Sequence, residues 1–275
     1  MSRMDWRALG VDLAWADTTV ANETGVVASD QDGTIVDAGW TTGVENTIAW
    51  ANAHATDATM LFVDAPLLVL NPDKQRLCEK QVGQRYGRWK VSANSTNLGS
   101  PRLAGVRLMR ELEAVGWVYA DGTAGPPASG RAVSECYPYT TIVGADEFGY
   151  DHERPLYKRK PKGLPTAAWR PVRAAACDVL IQRLAGLGDA SPPLNLRSHP
   201  VTAQLLDEGS PLNDRAYKHR EDLIDACLAA WTAALWIQHG TDACQVLGGD
   251  DAFADDRSRR ATIIAPARPI QRPDR

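Results

Sequence analysis

Four segments of this chain hold carboxylates in apolar surroundings where carboxylates are rare. They are Gly10-Val11-Asp12-Leu13-Ala14-Trp15, Phe62-Val63-Asp64-Ala65-Pro66, Ala132-Val133-Ser134-Glu135-Cys136 and Asp222-Leu223-Ile224-Asp225-Ala226-Cys227. Aspartate is depleted in strands, and an ionised carboxylate is costly to bury without a partner. One such acid is readily a strand-end cap or an ion-pair partner. Four segments of this kind, each at or near a strand end or a helix start, favour a shared site instead. No histidine has metal-ligand spacing: His152, His199, His219 and His239 are isolated, and His54 falls at a helix end. A donor set made only of carboxylates suits hard cations, Mg²⁺ or Mn²⁺, rather than zinc. Such sites serve phosphate chemistry, in which two ions activate the attacking water and stabilise the leaving oxygen.

Two basic stretches lie between the acidic segments. Arg154 to Arg173 holds Arg154, Lys158, Arg159, Lys160, Lys162, Arg170 and Arg173 without an acid, and Gly83 to Arg110 holds Arg85, Arg88, Lys90, Arg102, Arg107 and Arg110, again without one. Tyr86, Trp89, Tyr157 and Trp169 are interleaved with them. Basic residues with aromatics suit a phosphate backbone carrying stacked bases, and a solvated surface is the plainer alternative. Ser92 to Ser100 reads as a mobile polar loop. Trp231 and Trp236 are expected to pack on the sheet, and Trp15, just beyond Asp12, to line the site.

The elements that must position these residues follow from periodicity and punctuation. Ala8 to Trp15, Thr24 to Ser29 and Ile35 to Thr41 read as strands, the last two joined by an Asp32-Gly33 turn. Val44 to His54 has helical spacing, and Met60 to Asp64 is a buried-type strand ended by Pro66. Three strands, a crossover helix and a fourth strand predict a mixed sheet. Beyond it, Asn71-Pro72 and Ser100-Pro101 resemble helix starts, and Gly116 a helix stop. Arg131 to Cys136 reads as a strand, Pro171 to Leu187 and Asp222 to His239 as helices, and Ala261 to Ile264 as a last short strand, with a frayed tail after Pro266. Asp222 and Asp225, three apart, share a helix face. In a first turn they would also favour the helix dipole, which accounts for Asp222 better than for Asp225 beside the apolar stripe of Leu223, Ala226, Ala229 and Ala230.

Composition bounds the function classes. The chain has 275 residues, 44% hydrophobic and 23% charged, enough for a sizeable core. A net charge of −4 excludes a protein that coats nucleic acid wholesale, so any such binding is local. Five scattered cysteines without a CxxC argue against a disulfide framework or a zinc ribbon and fit reduced thiols in the cytoplasm. Met1 to Trp6 has no apolar signal region, and Met60 to Leu70, the longest apolar run, is too short to span a bilayer.

In order along the chain, GVDLAW (10–15), FVDAPL (62–67), RLCE (76–79), SECYPY (134–139), YKRK (157–160) and EDLIDACLAAWTA (221–233) resemble the motifs of the predicted RNase H-like nuclease family catalogued as domain of unknown function 429. The last segment is also similar to the final helix of Holliday-junction resolvases. The resemblance implies a single RNase H-like α/β domain over 1–275, a mixed sheet flanked by helices. Its core strands lie at about 8–64 and 131–136 and its last core helix at about 222–239, with 71–130 and 150–215 as helical and loop elaborations. It implies metal ligation by Asp12, Asp64, Asp222 and Asp225, with Glu135 matching a strand-end glutamate of the family. Arg76, from RLCE, joins Tyr157, Lys158, Arg159 and Lys160 as substrate-facing residues. The expected activity is Mg²⁺- or Mn²⁺-dependent hydrolysis of phosphodiester bonds in nucleic acid, bound at a local basic rim. Two alternatives stand beside it. One is an actin-like phosphotransferase, although no second domain or glycine-rich adenosine segment is found. The other is a non-catalytic scaffold without metal affinity.

Overall fold

The structure, a computed structural model, describes residues 5–14, 23–101 and 103–273. Trp15 and Arg102 lie outside the described residues. The chain begins with β1 (Arg7–Asp12), β2 (Glu23–Asp30), β3 (Ile35–Thr42), α1 (Gly43–His54) and β4 (Ala58–Val63). The middle carries α2 (Leu77–Tyr86), α3 (Ala104–Ala114), β5 (Val118–Tyr119), β6 (Gly130–Glu135) and α4 (Pro138–Gly144). It ends with α5 (Thr166–Ala185), α6 (Pro200–Asp207), α7 (Asp214–His239), β7 (Cys244–Leu247) and β8 (Ile263–Pro266). Six strands form one sheet in the order β3-β2-β1-β4-β6-β5, and β7 pairs with β8 separately. β1, β2 and β3 pair antiparallel, whereas β1, β4, β6 and β5 run parallel, so the predicted mixed sheet flanked by helices in a single domain is present.

Each strand sorts its side chains by the two-residue pleat. Leu9, Val11, Leu61, Val63 and Val133 enter one core with α1 and α3. Ala8, Met60, Phe62 and Ala132 enter the other, with α4, α5 and α7. α7 lies directly on β1 and β2, an approach that only glycine permits. A Cβ at Gly10 would stand 2.1 Å from the Ala226 carbonyl oxygen, and one at Gly25 would stand 2.2 Å from that of Asp222. Small residues on the helix complete the fit, since Ala226, Ala229 and Ala230 are all fully buried.

Several boundaries differ from the sequence reading. α7 starts at Asp214, with the Asn213 side chain accepting from the Arg215 and Ala216 amides. Asp222 and Asp225 therefore sit more than two turns inside the helix, where its dipole no longer accounts for them. Asn71 does not cap a helix; its amide donates to the carbonyls of Asp73, Lys74 and Thr96 and ties the 92–100 loop down. α2 starts instead at Leu77 and α3 at Ala104. Residues 267–273 pack rather than fray, with Gln271 buried and donating to the Val143 carbonyl at 3.0 Å. All five cysteines are buried and unpaired. No helix among the described residues is long and apolar enough to cross a membrane.

Candidate metal centre

The register of the parallel strands brings the acidic segments to one sheet edge. Val11 pairs with Val63, and Val63 with Glu135, so β1, β4 and β6 end level with one another. The Asp64 amide continues the ladder by donating to the Val11 carbonyl at 2.9 Å. Asp12 and Asp64 each follow a residue of the α1/α3 face, so the pleat turns both toward α7. There Asp225 meets them: one carboxylate oxygen from each of Asp12, Asp64 and Asp225 lies within 4.8 Å of the others, all three residues buried. Asp222, one turn earlier on α7, stands near enough to Asp12 for that carboxylate to raise its own carboxyl.

Glu135 falls outside this cluster for the same geometric reason. It shares the parity of Val133, so the pleat turns it to the opposite face. Arg76, 2% exposed, grips it there with two bonds, Nη1 to Oε2 at 2.8 Å and Nη2 to Oε1 at 2.7 Å. Arg76 also donates to Glu79 Oε1 at 2.8 Å and to the Leu68 carbonyl at 3.2 Å. The Leu67 amide donates to Glu135 and the Thr96 amide to Glu79. Arg76, expected to face substrate, is part of a buried clasp that joins β6, α2 and the 64–71 and 92–100 segments, and Arg76, Glu79 and Glu135 also line the cavity that holds Asp12, Asp64 and Asp222. Burial pushes the Glu135 carboxyl up, and the Arg76 guanidinium offsets this only in part.

Two lysines balance the aspartates. Lys158 pairs closely with Asp225 and stands 3.9 Å from Asp64 Oδ2. Lys218 pairs closely with Asp222 and stands 3.8 Å from Asp12 Oδ2 and 3.3 Å from Glu221. The Tyr157 hydroxyl donates to Asp225 Oδ1 at 2.8 Å, and the Tyr157 carbonyl accepts from the Tyr217 hydroxyl at 2.6 Å. Among the described residues, Asp12 Oδ2 and Asp225 Oδ2 are buried and accept no hydrogen bond, the latter facing the Lys158 ammonium instead. Burial pushes Asp64 well above the usual carboxylate range; Lys158 pulls it down, and Asp12 and Asp225 raise it further. Burial also raises Asp225 to about 7 against the pull of Lys158, and raises Asp222 to about 8 with the help of Asp12. Burial thus holds the Asp64, Asp222 and Asp225 carboxyls up, and the two lysines offset it only in part.

The site opens into a cavity of about 850 Å³ lined by Asp12, Asp64, Asp222, Lys158 and Lys218 and, at its rim, by Arg159 and Arg215. Lys218, Arg215 and His219 come from the first turns of α7, which the sequence reading left outside the helix. The one available signal was the four-residue spacing of Lys218 and Asp222. His219, read as isolated, stacks on Trp40 at 3.5 Å. Of the expected basic rim, Arg159 and Lys160 are exposed, whereas Arg170 and Arg173 pair with Asp214. Arg154 donates to the Lys90 carbonyl and to the Tyr139 hydroxyl. The four interleaved aromatics Tyr86, Trp89, Tyr157 and Trp169 are buried and present no stacking face.

Comparison with curated proteins and with solved structures finds no match. The family described as "Protein of unknown function (DUF429)" matches residues 10–252, a span from the strand that carries Asp12 to beyond the helix that carries Asp225. The chain belongs to the DUF429 family.

Proposed function

We propose that this chain is a divalent-metal-dependent nuclease with an RNase H-like core, cleaving phosphodiester bonds of nucleic acid. The strand order β3-β2-β1-β4-β6, with an antiparallel first half and a parallel second half, supports the RNase H-like reading. The observation that carries the function is the convergence of Asp12, Asp64 and Asp225, with a buried Asp12 oxygen that accepts no hydrogen bond among the described residues. Buried oxygens without a donor need a cation to stay ionised. An all-oxygen set of this kind fits Mg²⁺ or Mn²⁺. Asp12, Asp64 and Asp225 would hold the ion, with Asp222 near Asp12. Bound there, such an ion supplies Lewis-acid activation of the phosphoryl group and of water.

The chain's own residues do the rest. The cavity admits the scissile phosphate beside the carboxylates, while exposed Arg159 and Lys160, with Arg215, neutralise flanking phosphates. The Arg76–Glu135 clasp keeps the ends of β4 and β6 level, so that Asp64 does not drift from Asp12. Hydrolysis joins a water oxygen to phosphorus and releases the leaving oxygen as an alcohol, the two protons of water ending on the two products.

The test is a panel of single-stranded, double-stranded and branched DNA and RNA, each with Mg²⁺, Mn²⁺ or EDTA. Cleavage that needs metal and disappears in Asp12→Asn is expected. A non-catalytic scaffold is the second reading, favoured by the pairing of Lys158 and Lys218 with the acids. No cleavage in any condition, together with a melting curve indifferent to metal, would establish it.

A further inference from the structure

We propose that Lys158 is a built-in counter-cation that stands in for a second divalent ion, so that the carboxylate cluster accepts one ion only, on its Asp12 side. The inference rests on reading the cluster as a metal site. Tyr157 and Lys158, adjacent in sequence, clasp both oxygens of Asp225: the Tyr157 hydroxyl takes Oδ1 and the Lys158 ammonium takes Oδ2. The clasp is itself anchored, because the Tyr217 hydroxyl holds the Tyr157 carbonyl at 2.6 Å. Asp225 thereby has a hydrogen bond on Oδ1 and a close ion pair on Oδ2, each oxygen keeping a lone pair for a cation, whereas Asp12 Oδ2 accepts no hydrogen bond among the described residues and its near cation, Lys218, stands off at 3.8 Å. The two lysines differ in kind. The Lys218 side chain is 60% exposed and can swing into solvent, but that of Lys158 is 18% exposed and enclosed between Asp64 and Asp225.

Charge balance gives the same count. Asp222 and Glu221 share Lys218, while the ligand set Asp12, Asp64 and Asp225 contributes three negative charges when ionised and Lys158 returns one positive charge. The remaining two equal one divalent ion. A second ion would have to lie against the enclosed ammonium or expel it, leaving a buried like-charge contact or an uncompensated lysine. Lys158 also lines the cavity. Its remaining N–H donors can serve a phosphate oxygen, the role a second ion would otherwise fill.

The experiment counts ions rather than turnover. Mn²⁺ is titrated into the metal-free full chain by calorimetry, and electron paramagnetic resonance reports whether bound ions are isolated or spin-coupled. One isolated Mn²⁺ per chain is expected for the wild type and for Lys158→Arg, and a second, coupled Mn²⁺ for Lys158→Met. Lys158→Gln, which can still donate to Asp225, should follow Lys158→Met and keeps the test open if the methionine variant does not fold. Two ions in the wild type, or one ion in both the wild type and the neutral variants, would overturn the role of Lys158 and leave the metal reading standing. The absence of any Mn²⁺ binding sensitive to Asp12→Asn would overturn the metal reading and this proposal together.

Discussion

Asp64 and Glu135 end neighbouring strands and are both buried, yet their removal should have opposite consequences. Asp64 is crowded by Asp12 and Asp225, and burial already holds its carboxyl up. Asp64→Asn in metal-free protein is expected to be neutral or stabilising, measured by thermal unfolding in EDTA. A clear loss of stability would mean that its pairing with Lys158 outweighs the repulsion. Glu135→Gln removes half of a buried bidentate pair and leaves the Arg76 guanidinium undercompensated. That should cost about 3–5 kcal/mol in urea unfolding; a cost near zero would detach the clasp from stability. The three clustered aspartates were legible in sequence because each interrupts an apolar run. The partnership of Arg76 with Glu135 was not, since it joins residues 59 apart on separate elements and neither neighbourhood hints at the other.

At the scale of elements, the site depends on how closely α7 lies on the sheet. Gly10→Ala places a methyl 2.1 Å from the Ala226 carbonyl, and the contact is backbone, so the helix itself must shift. Overpacking of this kind typically costs about 1–3 kcal/mol. The larger effect expected is functional: Asp225 moves off Asp12, and stabilisation by Mg²⁺ is lost while the protein remains folded. Melting curves with and without Mg²⁺ decide it, and an unchanged metal response would show that the helix need not be so close. The apolar strands β4 and β6 were predicted within two residues, and β1 was found but drawn three residues too long at its end, because buried parallel strands carry apolar runs that do not mark where the pairing stops. The first turns of α7 were missed because they bury Tyr217 and Arg220 rather than aliphatics, leaving no apolar stripe to see. β5 has two residues and β7 four, too short for any period to show.

For the whole molecule, the raised carboxyls link stability to pH and to metal. Asp222 and Asp225 titrate near 8 and 7 in the folded chain, against about 4 when unfolded. Between those limits the folded state holds more protons, so these two groups make the metal-free protein less stable as pH rises from about 4 to 8. An ion at the cluster binds the deprotonated folded form, so Mg²⁺ should raise the melting temperature more at pH 8 than at pH 5. Scanning fluorimetry at both values checks this; an equal response at the two would place the bound ion elsewhere. The two halves of the site also differ in how they come apart. Residues 223–231 of α7 are enclosed on every side, so their amides should exchange with solvent deuterium only through global unfolding. Lys158 lies in residues 150–165, which hold no helix or strand, so its surroundings can open locally and far more often. Asp225 would then sit in an unyielding wall and Lys158 in the part that yields first, with the Tyr217 tether on the Tyr157 carbonyl setting how often it opens.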